Sequence, residues 1–528
     1  MNAVYSLGPR LEQALRTGRE TLAGGGLDNK QLNDYAKDGP LTRFYRAPDT
    51  VWTPRVLKDG ADSVGALGAL NRVFLNIGLF SEEWLLHFNA LIGGKRTTPI
   101  EIAVARKNSS YWEATEAQTP DVALFFLKTA TPHRLKDAPG GTAHLTADAA
   151  TLSRGKVVFA ERCARCHSSK APTPPPAVDI GTCAGAGYLA CWDRYWSWTK
   201  TEAFKTAMRE IVLRDDFLDD NLLSNDLRVP VTLLETNACS PLATNGIRAN
   251  IWDNFTSQSY KDLPSVGKIT VHDPFTGEAV SYDMPAGGRG YTRPASLISV
   301  WSTAPFLLNN SLGRFEPSPS VAARMRSFED SIEKLLWPEK RERDTEHPGG
   351  RGVGHRDFQV RLEGRDQRLP GVIDRTTSRS SFRVAAGYLP DTLRHWYDPL
   401  KRWFPWLFGE EGIEVGPIPA GTPVNLIANL SLVSESGDTT NVIDQTKDVL
   451  DLLLRLKRDL KALPRDASDE EGRTVFANLR RPLLALNKCR DFVVNRGHYF
   501  GTSFLKDKDE PGLSDTDKRA LIEFLKTF

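Results

Sequence analysis

The chain has 528 residues, of which 40% are hydrophobic and 25% are charged, and its formal net charge at pH 7 is +2. This is the composition of a folded globular protein long enough for several domains, and so balanced a charge argues against nucleic acid as a partner. The longest apolar runs, such as residues 122–127, are far shorter than the roughly 18 residues of a membrane helix. We therefore expect no membrane-spanning segment.

The first 150 residues predict a helical region that is interrupted by glycine and proline. Between Val64 and Asn89 the apolar spacing suits two buried helices, the second of them capped by Ser81. The N-terminus has no basic segment followed by an apolar core, so no secretory signal is visible. The remainder, residues 151–528, is expected to form a second unit.

A C-x-x-C-H motif, formed by Cys163, Cys166 and His167, lies at the end of a helix predicted to begin at Ser153. In such a motif the two thiols add to the vinyl groups of a haem and the histidine binds the iron. A zinc site would need a second ligand pair, and no other cysteine in the chain has C-x-x-C spacing. A redox dithiol is typical of a βαβ setting rather than of a helix end. The motif therefore predicts one covalent haem c.

Haem attachment has consequences for the compartment and for the remaining cysteines. Bacterial haem c is attached outside the cytoplasmic membrane, which predicts a periplasmic or secreted protein and, with no signal visible, favours the loss of an upstream piece. Cys183 and Cys191 bracket a short glycine-rich turn and are spaced for a small disulfide in an oxidising compartment. For Cys239 and Cys489, a second disulfide and two free buried thiols remain open.

Beyond the motif, the Trp-rich segment 188–198 is suited either to wall the haem or to fill a core. A charged insertion is expected around residues 325–475, and an amphipathic helix is expected from Gln445 to Leu463. The last predicted helix, 514–528, carries one apolar stripe, as does the terminal helix that crosses the haem-bearing helix in cytochromes c. That stripe consists of Leu521, Phe524, Leu525 and Phe528.

The second axial position of the iron decides between electron transfer and chemistry at an open site. His498 is the favoured ligand, because it lies in a glycine-flanked loop shortly before the terminal helix. Met284, also in a loop, is the second candidate, since a thioether can take the same position. An iron that is open or bound by another group is the third possibility.

Several stretches together resemble the large cytochromes c related to rubber oxygenases and di-haem cytochrome c peroxidases. The resemblance covers most of the chain from about residue 70 onward. Its motifs are specific for the family and say little about activity. The stretches that carry it are 75–95, 111–141, 155–170, 291–313, 497–501 and 514–528.

The resemblance implies two haems c in one secreted chain, one of them bis-histidine or otherwise closed and the other the reactive or electron-accepting site. It also implies that Trp301, Pro305 and Phe306 pack near a haem and that His498 lies opposite His167. The chain departs from the family pattern in having a single C-x-x-C-H, and in having Leu308 where the family motif usually has histidine. A two-haem mechanism is therefore not carried over.

The sequence thus predicts a mainly α protein with a cytochrome c-like haem domain, long irregular loops and an additional N-terminal helical region. Three functions remain open. The first is outer-sphere electron transfer in the periplasm with a redox partner protein. The second is a haem oxidoreductase, peroxidase-like or an oxygenase on an apolar substrate, in which Trp301 and Phe306 line an open distal site. The third is a haem subunit that exchanges electrons with neighbouring haem subunits in a larger assembly.

Overall fold

The computed structural model describes most of residues 98–118, 132–234, 246–307, 312–341, 380–403 and 497–528, with shorter segments and single residues elsewhere. Within these residues the chain is mainly helical, and its strands are short. The mainly α class expected from the sequence is confirmed at this level. No helix in this part of the chain is long and apolar enough to cross a membrane.

The α-helices are distributed along both halves of the chain and are joined by long loops. Short 3-10 helices lie within several of these loops, among them Leu135–Asp137, Gly141–His144, Val300–Ser302 and Pro338–Lys340. In chain order, the α-helices are α1 (Ile102–Asn108), α2 (Ser110–Glu116), α3 (Ala149–Arg162), α4 (Tyr188–Trp198), α5 (Glu202–Val212), α6 (Val231–Leu234), α7 (Gln258–Lys261), α8 (Val321–Leu336), α9 (Asp391–Trp403) and α10 (Asp515–Leu525).

The strands form small antiparallel sheets. The two-stranded sheets pair β1 (Gly18–Thr21) with β2 (Thr50–Thr53), β3 (Arg55–Lys58) with β4 (Asp62–Gly65), β5 (Val229–Pro230) with β8 (Tyr291–Thr292), β6 (Lys268–His272) with β7 (Ala279–Asp283), and β9 (Gln359–Leu362) with β10 (Arg365–Arg368). A three-stranded sheet has the order β11 (Ser380–Ala385), β13 (Gly412–Ile418), β12 (Phe408–Gly409). Strands β1 to β4 lie in the N-terminal region, which the sequence predicted to be mainly helical.

The centre of the fold is the crossing of α3 and α10. The Asp148 side chain accepts a hydrogen bond from the Ala150 amide at 3.0 Å and so caps the start of α3. At the crossing point a Cβ on Gly155 would lie 2.2 Å from the carbonyl oxygen of Ala520, so the two backbones are in close contact. The expected stripe on α10 is buried in this interface: the Phe159 ring packs edge-on against Phe524 at 5.6 Å and also against Phe528.

Helices α5 and α8 complete the core around this crossing. Met208 of α5 and both Met325 and Phe328 of α8 are almost fully buried in the same apolar cluster as Phe159. Residues 325–336, where the charged insertion was expected to begin, thus belong to a core helix. Arg341, which follows α8, is also buried.

Other predictions from the sequence fall on residues that are described only in part. Leu79 and Leu86 are helical and buried, as expected, whereas Val64 lies in strand β4. The described residues between 444 and 462 are helical, in agreement with the helix expected there. Positions outside the described residues are Ser81, 122–127, Cys239, Leu308 and Cys489.

Candidate functional site

The C-x-x-C-H segment extends α3 by one further turn. The Cys163 amide donates to the Phe159 carbonyl at 2.9 Å, and the His167 amide donates to the Cys163 carbonyl at 2.9 Å. The Cys166 amide donates to the same Cys163 carbonyl at 3.1 Å. Residues three and four positions apart on a helical turn are neighbours on one face. Local backbone geometry is therefore enough to bring both thiols and the imidazole together.

The two thiols face different apolar surroundings. Cys163 packs against the core cluster at the α3–α10 crossing, while Cys166 packs against the aromatic cluster of α4, which contains Trp192 and Trp196. Neither thiol is in a disulfide. Burial raises the pKa of Cys163 to about 12 and that of Cys166 to about 11. Both thiols are thus protonated at neutral pH.

A buried ion pair links this turn to the C-terminal segment. The guanidinium of Arg165, inside the motif, donates to the carboxylate of Glu510, just before α10, and both side chains are almost fully buried. Arg165 also lies over the Trp196 ring, 5.0 Å from its centroid. No sequence pattern pairs two residues so far apart, and this contact was not predicted.

His167 is oriented by a backbone carbonyl. Its Nδ1 lies 3.0 Å from the carbonyl oxygen of Ala295, and because a carbonyl can only accept, Nδ1 carries the proton. This leaves Nε2 with a free lone pair, the usual arrangement of a histidine that ligates a metal.

The loop that carries Ala295 is itself held in place next to the motif. The Ser224 hydroxyl donates to the carbonyl of Pro294 at 2.7 Å. The backbone N–H of the neighbouring Asn225 donates to the Cys166 carbonyl at 2.8 Å. Its side-chain Nδ2 donates to the Arg165 carbonyl at 2.7 Å. Two loops and the motif thus form one hydrogen-bonded unit around His167.

His498 reaches the same place from the other end of the chain. Its backbone is in the left-handed region, with φ of 54°, and follows Gly497 with φ of 99°. Its amide donates to the Leu234 carbonyl at 3.2 Å, and its ring packs edge-on against Phe500 at 5.6 Å. The turn at Gly497 and His498 thereby directs the chain back toward α3.

The centroids of the His167 and His498 rings lie 6.2 Å apart, and the ring planes are inclined at 46°. A metal ion held between two imidazoles lies about 2 Å from each ligating nitrogen, which places the two ring centres about 6 Å apart. The observed spacing would therefore allow both imidazoles to bind one metal ion. The ring centroids are too far apart for a direct hydrogen bond between the ring nitrogens.

The protonation of both imidazoles suits this role. Burial lowers the pKa of His167 to about 4, helped by the nearby His498, and burial likewise lowers the pKa of His498 to about 4. Both rings are neutral at pH 7, as ligation requires. Nδ1 of His498 is buried and has no hydrogen-bond partner among the described residues. Its imidazole is thus not saturated by the protein's own hydrogen bonds, and these residues fit a haem c.

The other candidate residues lie around this centre or apart from it. Trp301 and Phe306 belong to the apolar cluster that also contacts Cys163, and the indole of Trp301 donates to the His133 carbonyl at 2.6 Å. Pro305 is buried beside them. Met284, the second candidate for the distal ligand, packs instead in a small cluster with Val266, Ile269 and Tyr282. The structure thus brings His498 to face His167.

A disulfide joins Cys183 and Cys191, the pair whose spacing suggested it. It connects the loop before α4 to the first turn of that helix. Cys183 and Cys166 both contact the aromatic cluster of α4, so the disulfide braces the segment that walls one thiol of the motif.

Comparison with known proteins does not add to this description. No family model, no curated protein and no solved structure matches the chain.

Proposed function

We propose that the protein is a c-type cytochrome with one covalent haem, attached through Cys163 and Cys166 and ligated by His167 and His498. The observation that carries the proposal is the 6.2 Å separation of the two histidine rings, directly beside the two free thiols. The crossing of α10 over α3 at Gly155 supports the finer assignment of a cytochrome c-like haem domain.

Bound haem supplies a one-electron couple between ferric and ferrous iron, whose potential the axial ligands and burial set. His167, held by Ala295, and His498, held in its turn, would both bind the iron and keep water off it. With both histidines bound, small molecules would have no place to bind. This arrangement favours outer-sphere electron transfer with a redox partner protein or a neighbouring haem subunit, over peroxide or oxygen chemistry.

The proposed place of action is the periplasm or the extracellular space. Two features support it: the haem-attachment motif itself and the Cys183–Cys191 disulfide, since disulfides persist in oxidising compartments.

The proposal is tested by optical spectra of the purified protein, oxidised and reduced, with and without carbon monoxide. We expect haem that stays with the polypeptide after denaturation, and a reduced spectrum that carbon monoxide leaves unchanged. Haem that is lost on denaturation would contradict covalent attachment. A clear shift with carbon monoxide would contradict ligation by His498 and would favour the haem oxidoreductase with an open distal site.

A further inference from the structure

Arg341 is a buried arginine between the end of α8 and the loop that carries His498. Its side chain is 2% exposed, and its Nε donates to the Lys334 carbonyl at 2.9 Å and its Nη2 to the Leu335 carbonyl at 3.4 Å. These carbonyls belong to the last turn of α8, where backbone acceptors have no partner within the helix. A cation is favoured at a helix C-terminus. The end of α8 thus sets the position of the guanidinium.

The same guanidinium holds the residues on both sides of His498. Its Nη1 donates to the Gly497 carbonyl at 3.2 Å, and its central carbon lies 5.0 Å from the centroid of the Tyr499 ring. Left-handed backbone is costly for a residue other than glycine and persists where the surroundings stabilise it. His498 is in this region, so its turn needs external contacts. Arg341 supplies contacts before and after it.

We propose that Arg341 is the positioning residue of the distal ligand: it fixes the turn that presents His498 to the iron. The inference rests on the proposed function, because it assumes that His498 is an axial ligand. Arg341 acts through the backbone of Gly497 and the ring of Tyr499, and none of its contacts above is with the His498 imidazole. The planar guanidinium fork of arginine is needed for this role, because its nitrogens contact the helix end and the loop at the same time. A lysine ammonium cannot do this.

The test compares Arg341→Met with Arg324→Met. Arg324 is a matched control, because it lies on α8 itself and also donates to backbone carbonyls. These are the carbonyls of Ser318 at 3.2 Å, Ala304 at 3.4 Å and Glu316. These contacts are at the other end of the helix. The first readout is the fraction of reduced haem that binds carbon monoxide. The second is whether added imidazole restores the closed spectrum, meaning the spectrum that carbon monoxide leaves unchanged.

We expect Arg341→Met to raise the carbon monoxide-reactive fraction by about tenfold or more, as loss of a charge-assisted hydrogen bond predicts. Imidazole should restore the closed spectrum, which would show that the haem pocket itself is intact. Arg324→Met should behave as the unmodified protein. Equal opening in both variants would mean general loosening of α8 and would overturn the inference, as would no opening in Arg341→Met.

A second variant covers the case in which Arg341→Met does not fold. Arg341→Lys keeps the buried charge, and we expect it to fold and to give an intermediate carbon monoxide-reactive fraction. A lysine variant as closed as the unmodified protein would contradict the role of the fork. If the unmodified protein binds carbon monoxide or lacks covalent haem, the proposed function fails and this inference falls with it. If carbon monoxide changes neither the spectrum of the unmodified protein nor the spectra of the Arg341 variants, only this inference fails.

Discussion

The two histidines of the site are brought into position in different ways. His167 follows a helix by one turn, and its amide bonds to a carbonyl four residues earlier. His498 comes from near the end of the chain, sits in a strained turn and relies on contacts with α6 and with Arg341. The proximal half of the site, formed by Cys163, Cys166 and His167, is therefore a local structure. The distal half, formed by His498 and its turn, assembles only when distant segments pack. We expect the distal half to be the more easily lost.

The largest effect is expected for His498→Ala. The haem should remain covalently attached, because Cys163 and Cys166 are untouched, but the reduced protein should now bind carbon monoxide. The optical spectrum of the reduced protein measures this directly.

Met284→Leu is the matched control for that variant. Methionine and leucine have similar volumes, so the buried site tolerates the change, and we expect a spectrum unchanged by carbon monoxide. If instead Met284→Leu opened the iron and His498→Ala did not, the assignment of the distal ligand would be reversed.

Glu510→Gln tests the link between the motif turn and the C-terminal segment. It leaves the buried guanidinium of Arg165 without its carboxylate, and breaking a buried ion pair in this way costs about 3 kcal/mol of unfolding free energy. Urea unfolding measures the loss. Glu333→Gln, which removes a half-exposed pair with Lys340, should cost less than about 1 kcal/mol. Equal losses in the two variants would refute a special role for Glu510.

Gly155→Ala tests the helix crossing beneath the proximal half. The added Cβ would overlap the Ala520 carbonyl and lie 2.9 Å from Cβ of Phe524, so α10 must move away. We expect a loss of about 2 kcal/mol, typical of overpacking, seen as a lower urea midpoint. Gly187→Ala is the control, since its Cβ meets nothing within 4 Å and its φ of -80° suits alanine. A stable Gly155 variant would show that the crossing is loosely packed.

The smallest effect on the site is expected from a change in the ionisation of Glu82, which lies in the N-terminal region. Its carboxylate is buried and accepts a hydrogen bond from Ser109, and burial raises its pKa from 4.5 to about 7. Between these values the unfolded chain has released the proton and the folded chain retains it. Stability contributed by this group is therefore full below pH 4.5 and is lost as the pH rises through 7.

Hydrogen exchange of residues 101–118 at pH 5 and pH 8 measures this dependence. We expect faster opening at pH 8 in the unmodified protein, and a weaker pH dependence in Glu82→Gln. Glu113→Gln, at an exposed position in α2, should keep the full dependence. The haem spectrum should be the same in all three proteins, and a change in it would show that this region is coupled to the site.

Sequence patterns were sufficient wherever a structure depends on near neighbours in the chain. The helix before Cys163, the turn that groups the motif, the terminal helix and the disulfide over a short loop were all predictable for this reason. The helix before Cys163 nevertheless begins at Ala149 rather than at the predicted Ser153, because Asp148 caps it. Strands β1 to β4 were missed, because short strands with little alternation carry a weak periodic signal. The core position of α8 was not predicted, because the charged insertion was expected to begin at about residue 325.

The sequence by itself determined the chemistry offered on the proximal side: two thiols and an imidazole spaced by one helical turn, and an apolar stripe that requires a partner. Only the tertiary structure decided which distant residue faces His167, because loop closure and packing, rather than local propensity, bring His498 to 6.2 Å. It also decided that Arg341 and Glu510 would be buried beside the two halves of the site. Buried charges have no sequence signature, since their partners are chosen by the fold.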